Sequence, residues 1–168
     1  QLFRSINREP FDLLPLYTFD RVNNPNEELI YIDVVTEFGE GNGRFCYYIK
    51  AIEGFNNPYG SSIEGSLSNI SCVSQTPILF LPNTFTPNGD EHNEIFKPVT
   101  NFVSDIGYVF SIYSRNGENI FSTNDPRKGW DGTFNGRFVK NDNYVYHVSY
   151  INGVAQLTEK TGSFNLIR

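Results

Sequence analysis

The sequence predicts an all-β protein built of two β-sandwich modules, and three observations carry that prediction. The first is aromatic weight: 15 Phe and 10 Tyr among 168 residues, residue types that favour pleated, half-buried surfaces. The second is punctuation, because 14 Gly and 9 Pro, together with many Asn, supply turns every few residues. The third is periodicity. Segments with apolar residues at helical spacing are short and interrupted by Gly, Pro or Asn, whereas period-2 and β-rich runs recur.

The strand candidates, in order, are residues 1–6, 13–19, 29–37, 44–53, 66–74, 78–81, 108–113, 143–151 and 162–167. The first three are rich in Leu, Ile, Phe and Tyr. In 44–53, Tyr47, Ile49 and Ala51 share one face. Residues 66–74 return antiparallel to them after the turn-rich stretch 55–61. A hairpin centred near Tyr59 sets Cys46 opposite Cys72. Directly opposed Cβ atoms lie about 4.5–5.5 Å apart, a small adjustment from disulfide spacing, and an oxidising compartment keeps such a bond. Two buried free thiols are the alternative.

Gln75-Thr76-Pro77 marks a seam, since Pro77 cannot donate to a ladder. It separates a first module, residues 1–77, from a second, residues 78–168. The pattern Arg44-Phe45-Cys46-Tyr47-Tyr48-Ile49-Lys50-Ala51 resembles the penultimate strand of a fibronectin type III or immunoglobulin-like domain. That resemblance implies that Tyr47, Ile49 and Ala51 point into a core and that the module has about seven strands, of which five fit residues 1–77, so the first two are expected to be missing. The sequence opens on Gln1 and has no Met; both point to a mature or truncated piece of a longer protein.

In the second module, the run Ile78-Leu79-Phe80-Leu81 fits one buried strand. Pro82 and Pro87 fix their φ angles, and Asn88-Gly89 is a turn dipeptide, leaving Phe85, Ile95 and Phe96 to anchor the loop. Asn88, Asp90, Asn93 and Glu94 offer oxygens at nearly alternate positions, so a structural Ca²⁺ is one reading of this loop. Only two of the four are anionic, and a well-specified entry loop is the plainer reading. Residues 108–113 form a strand, Ser114-Arg115-Asn116-Gly117-Glu118 a hairpin turn with φ > 0 expected at Asn116 and Gly117, and Asn119-Ile120-Phe121 the return.

Gly129-Trp130-Asp131-Gly132-Thr133-Phe134-Asn135-Gly136 places a tight turn at Asp131-Gly132 beside a buried Trp130 whose N–H needs an acceptor. Residues 143–151 alternate, with Tyr144, Tyr146, Val148 and Tyr150 on one face. Residues 162–167 close the set.

Several function classes are excluded or left without support. A net charge of −6 and a pI near 4.9 argue against nucleic-acid binding, which needs a clustered basic face. No apolar run approaches the roughly 20 residues of a helical membrane span. His92 and His147 stand apart and form neither a metal pair nor a triad. A single Trp-Asp pair without a repeat excludes a propeller.

Taken in order, Pro82-Asn83-Thr84-Phe85-Thr86-Pro87-Asn88-Gly89-Asp90, the Arg115–Gly117 turn, Trp130-Asp131-Gly132-Thr133 and Gly162-Ser163-Phe164-Asn165-Leu166-Ile167-Arg168 resemble the type B C-terminal sorting domain of the type IX secretion system. The resemblance covers residues 78–168. Departures are Ser114 and Asn116 for the usual Asn and Trp, Glu91-His92 for Gly and an aliphatic residue, and Glu94 for Asp.

The resemblance implies export to the outer face of the outer membrane, as part of a surface protein such as a gliding adhesin. Its implied partners are the type IX translocon and an outer-membrane barrel of the PorP/SprF type. It implies binding with no catalytic residue and no cofactor. The residues it singles out for recognition are Pro82, Asn83, Phe85, Pro87, Asn88, Gly89, Asp90, Arg115, Gly117, Trp130, Asp131, Gly132 and Arg168. Arg168 is a candidate to pair with acidic groups on a partner, and a solvated terminus is its plainer role. Two rivals remain at this level: a carbohydrate-binding or adhesive module using Trp130, Tyr144 and Tyr146 as platforms, and an accessory region of a secreted hydrolase.

Overall fold

A computed structural model describes residues 1–20, 23, 25, 26, 28–54 and 65–168. Its ordered elements are almost all strands, with one short 3-10 turn at Thr36–Phe38. The predicted all-β class holds. The chain divides into two compact units, residues 1–37 with 44–74, and residues 38–43 with 75–168.

The first unit is a small antiparallel sheet. Strand β1 (Leu2–Ile6) pairs with β2 (Arg44–Ile52), which pairs on its other side with β3 (Gly65–Leu67) and β4 (Ser71–Ser74). The expected 66–74 strand is thus split. Lys50 faces Leu67 while Tyr47 faces Ser71, a one-residue slip. Ser68 bridges it: its hydroxyl accepts the Ile49 N–H at 2.9 Å and its own N–H donates to the Ile49 carbonyl at 2.8 Å. Cys46 faces Cys72 and the two are joined in a disulfide. The turn expected near Tyr59 lies outside the described residues.

Two expected strands do not form here. Residues 13–19 contribute one bridge, Leu2 to Tyr17, because Pro10 and Pro15 cannot donate to a ladder. Residues 29–35 find no ladder partner among the described residues. They are tethered instead through Asp33, whose carboxylate accepts both an Arg4 guanidinium nitrogen (2.9 Å) and the Tyr47 hydroxyl (2.8 Å). That tether covers only part of β2. Tyr47 is half-buried, but Ile49 is 53% exposed and Ala51 is exposed, contrary to the expectation that all three enter a core.

The second unit holds the larger core. Its strands are β5 (Ile78–Phe80), β6 (Thr84–Phe85), β7 (Val99–Asn101), β8 (Val109–Tyr113), β9 (Asn119–Thr123), β10 (Thr133–Phe134), β11 (Arg137–Phe138), β12 (Asp142–Ile151) and β13 (Leu157–Leu166). Five of them form one sheet in the order β6-β13-β12-β8-β9, and β5–β7 and β10–β11 form two small ladders. Every pairing is antiparallel except β6 with β13, where Thr84 and Phe85 lie beside Asn165 and Leu166.

One face of the sheet buries Phe110, Ile112, Tyr144, Tyr146, Val148 and Phe164 against Phe85, Phe96 and Trp130. The rings of Phe96 and Phe164 stack 3.6 Å apart, and Trp130 meets Tyr144 edge-on at 5.3 Å. Burying a large side chain of this kind is worth roughly 1.5–3 kcal/mol, so this aromatic cluster is the main source of the unit's cohesion. Gly162 belongs to the same packing. A Cβ there would lie 2.6 Å from Tyr146 Cζ, so the Tyr146 ring occupies the space that a side chain would need.

One turn differs from expectation and a second adds to it. At the β8–β9 hairpin Gly117 has φ +82°, whereas Asn116 is not left-handed. The Gly117 N–H donates back to the Ser114 carbonyl and the ladder slips between Ile112 and Tyr113, as in a type I turn followed by a bulge. In the second, the tight hairpin sits at Asn135-Gly136, both left-handed, between β10 and β11. The expected turn at Asp131-Gly132 also forms, as an Asx turn, with Gly132 left-handed (φ +81°) and Asp131 accepting the Thr133 N–H and hydroxyl at 2.9 and 2.7 Å.

Candidate functional site

Most motif residues of the second unit converge on the edge where β6 meets β13. The Asn83 carbonyl accepts the Asn165 N–H and the Phe85 carbonyl accepts the Ile167 N–H, both at 3.0 Å. Phe96 and Trp130 exchange backbone hydrogen bonds of 2.8 and 2.9 Å. The Trp130 indole N–H finds its acceptor in the Thr133 carbonyl at 2.8 Å. Three segments distant in sequence therefore share one edge: 82–96, 129–139 and 164–168.

Arg168 joins them. Its Nε donates to the Pro87 carbonyl (3.1 Å), Nη2 to the Gly132 carbonyl (2.9 Å) and Nη1 to the Val139 carbonyl (2.7 Å). The guanidinium also lies 4.3 Å over the ring of Phe138, a cation–π contact. Asn141 donates its side-chain amide to the Arg168 carbonyl at 3.3 Å. All three guanidinium nitrogens are thus engaged inside the unit. Gly132 is left-handed (φ +81°), and a Cβ on it would sit 2.7 Å from Arg168 Nη2. Glycine there meets two demands at once: the backbone angle and the space for the guanidinium.

The 88–94 loop is organised by its own side chains. Glu94 accepts the Gly89 and Asp90 N–H groups at 2.7 and 3.0 Å. Asp90 accepts the Asn88 amide at 3.0 Å and the His92 N–H at 2.9 Å. The Asn88 amide and the His92 N–H hold the Asp90 carboxyl below its usual range. Glu91 adopts φ +69° and Asn93 φ +53°. The position of Glu91 is therefore one where glycine is at ease, which gives a physical reason for the glycine usual in the resembling family. Of the oxygens offered for calcium, those of Asn88, Asp90 and Glu94 accept loop N–H groups, and no group of three His, Cys, Asp or Glu side chains able to hold a metal occurs among the described residues.

The sequence-selected residues fall into three sets. Phe85, Pro87, Trp130 and Gly132 are buried, and Pro82 is half-buried. Asn83, Asn88, Gly89, Asp90, Asp131 and Arg168 are exposed around the same edge. Arg115 and Gly117 are exposed at the tip of the β8–β9 hairpin, whose strands lie at the far side of the sheet from β6 and β13. They do not join the cluster. Phe138, Val139 and Asn141 do join it and were not singled out from sequence. Phe138, an aromatic side chain 70% exposed beside a cation, is recognisable only once Arg168 has been placed.

Trp130, Tyr144 and Tyr146 are 1%, 4% and 8% exposed. Rings so enclosed present no face to a sugar, and the platform reading fails. Elsewhere, burial pushes up the pKa of the Tyr108 and Tyr144 hydroxyls. The Arg127 side chain, bonded at 2.9 Å, holds the Asp125 carboxyl low. His147 lies 3.6 Å from Glu159. None of these groups forms a catalytic constellation. No helix among the described residues is long and apolar enough to cross a membrane.

A family model described as the CHU_C type IX secretion signal domain matches residues 79–166. No curated protein matches the chain.

Proposed function

Since the chain belongs to the CHU_C type IX secretion signal family, which matches more than half its length, we propose that residues 78–168 are the export and surface-attachment module of a larger cell-surface protein. Membership implies engagement with the type IX secretion system and export toward the cell surface. The finer reading is ours: the module binds the translocon and then a PorP/SprF-type outer-membrane barrel, and the parent is an adhesin of the gliding apparatus. Nothing in this role needs a covalent step, and the module acts by binding alone.

One observation carries the reading beyond membership. Three of the four motif segments converge on the β6–β13 edge, where buried motif residues fix the position of exposed ones, while the Arg115–Gly117 turn lies apart at the β8–β9 tip. A folded surface assembled from distant segments is what a shape-reading receptor requires. The test is deletion of residues 78–168 from the parent. The truncated protein is expected to accumulate in the periplasm, and normal display at the surface would refute the sorting role. Pull-down of the tagged chain from outer membranes, with identification of the co-purified barrel, tests the attachment role separately.

A further inference from the structure

Resting on the sorting role, we infer that Arg168 is a positioning residue: its guanidinium locks the 86–90 loop and the 132–139 segment into one arrangement, and the translocon reads that arrangement rather than the arginine's charge. The first ground is where the donors go. Nε, Nη1 and Nη2 point to the Pro87, Val139 and Gly132 carbonyls, so the side chain faces inward to its own unit. The second is geometry. The planar guanidinium fork serves three divergent acceptors at once, which a lysine ammonium on a flexible stem does not reproduce.

The third ground is topology. The 86–90 loop and the 132–139 segment share no strand ladder with each other. The Arg168 side chain hydrogen-bonds to both. What it holds still is exposed: Asn88, Gly89 and Asp90 on one side, Phe138 on the other. The fourth ground is Gly132, whose missing side chain leaves the space that Nη2 occupies.

The test uses the full 168-residue chain fused behind a fluorescent reporter in a cell with a working type IX system. The variants are Arg168→Lys, Arg168→Ala and Gly132→Ala, and the readouts are surface display, thermal melting and amide exchange. Loss of one charge-assisted hydrogen bond amounts to about tenfold in an equilibrium, so Arg168→Lys is expected to lower display at least about tenfold despite keeping the charge. Amide exchange across 87–90 and 132–139 should rise by a similar factor. Melting should fall by no more than about 6–11 °C, the shift that a tenfold loss carries in a unit of this size, because the guanidinium touches carbonyls and the exposed Phe138 but none of the stacked core rings. Gly132→Ala should reproduce the defect with Arg168 intact.

Full display of Arg168→Lys, with loss in Arg168→Ala, would overturn the inference, since a partner would then be reading the charge. Lost display with unchanged exchange would also overturn it, as would collapse of the whole unit in Arg168→Lys. Failure of the sorting role itself has a different signature: the reporter would be displayed even with residues 78–168 deleted.

Discussion

Replacing Cys46 and Cys72 together by serine removes the one covalent cross-link of the first unit. The two residues are 26 apart in sequence. In the chain-entropy treatment, cross-linking a loop of that length removes about 3.5 kcal/mol of freedom from the unfolded ensemble at 25 °C. A domain of this unit's size has only a few to about 10 kcal/mol of stability in all. Its sheet is also poorly covered, with Ile49, Leu67 and Val73 all more than half exposed. At roughly 4–8 °C per kcal/mol for a unit this small, the double variant should lose about 14–28 °C of melting temperature, or show no cooperative transition at all. Differential scanning calorimetry of the 168-residue chain, oxidised, reduced and as the double serine variant, measures this. The second unit contains no cysteine, and its transition should stay in place. A shift of less than about 3 °C in the first transition, or equal shifts in both, would show that the cross-link is not what holds this sheet.

Two further predictions concern single side chains. Gly162→Ala puts a methyl group into the space taken by the Tyr146 ring, and such overpacking costs about 1–3 kcal/mol; urea unfolding should show a lower midpoint at unchanged slope, and an unchanged midpoint would refute the packing argument. Burial, then the hydrogen bond to Asp33, raises the Tyr47 hydroxyl above the tyrosine value of 10.0. A raised value means the folded state holds its proton when the unfolded chain releases it, so the first unit should keep full stability below about pH 10 and lose it above. Melting curves between about pH 8 and 11 should show this decline, and Tyr47→Phe should flatten it.

The all-β class was legible because aromatic and β-branched residues at short spacing, broken by Gly, Pro and Asn, leave no helical alternative. Residues 143–151 were legible for a stronger reason. Their alternation is strict, and Tyr144, Tyr146, Val148 and Tyr150 are all buried. The failures share one cause, which is that a strand exists only beside another. Residues 29–35 have strand composition but no ladder neighbour among the described residues. Residues 157–161 have little strand character, yet they pair with Ser149, Tyr150 and their neighbours because β12 is a ten-residue template. Strands β10 and β11 are two residues each, too short to show any period. At the site, the motif residues were legible and their partners were not. Arg168 is held by backbone carbonyls, and a carbonyl leaves no trace in residue identity.

The parallel pairing of β6 with β13 also governs when the second unit can form. Thr84 and Phe85 have as neighbours Asn165 and Leu166, so the edge strand must wait until some eighty intervening residues have been synthesised. Contacts so remote in sequence come at a high loop-closure cost and slow folding. A chain emerging from the ribosome therefore spends its synthesis of residues 86–164 without this closing pair.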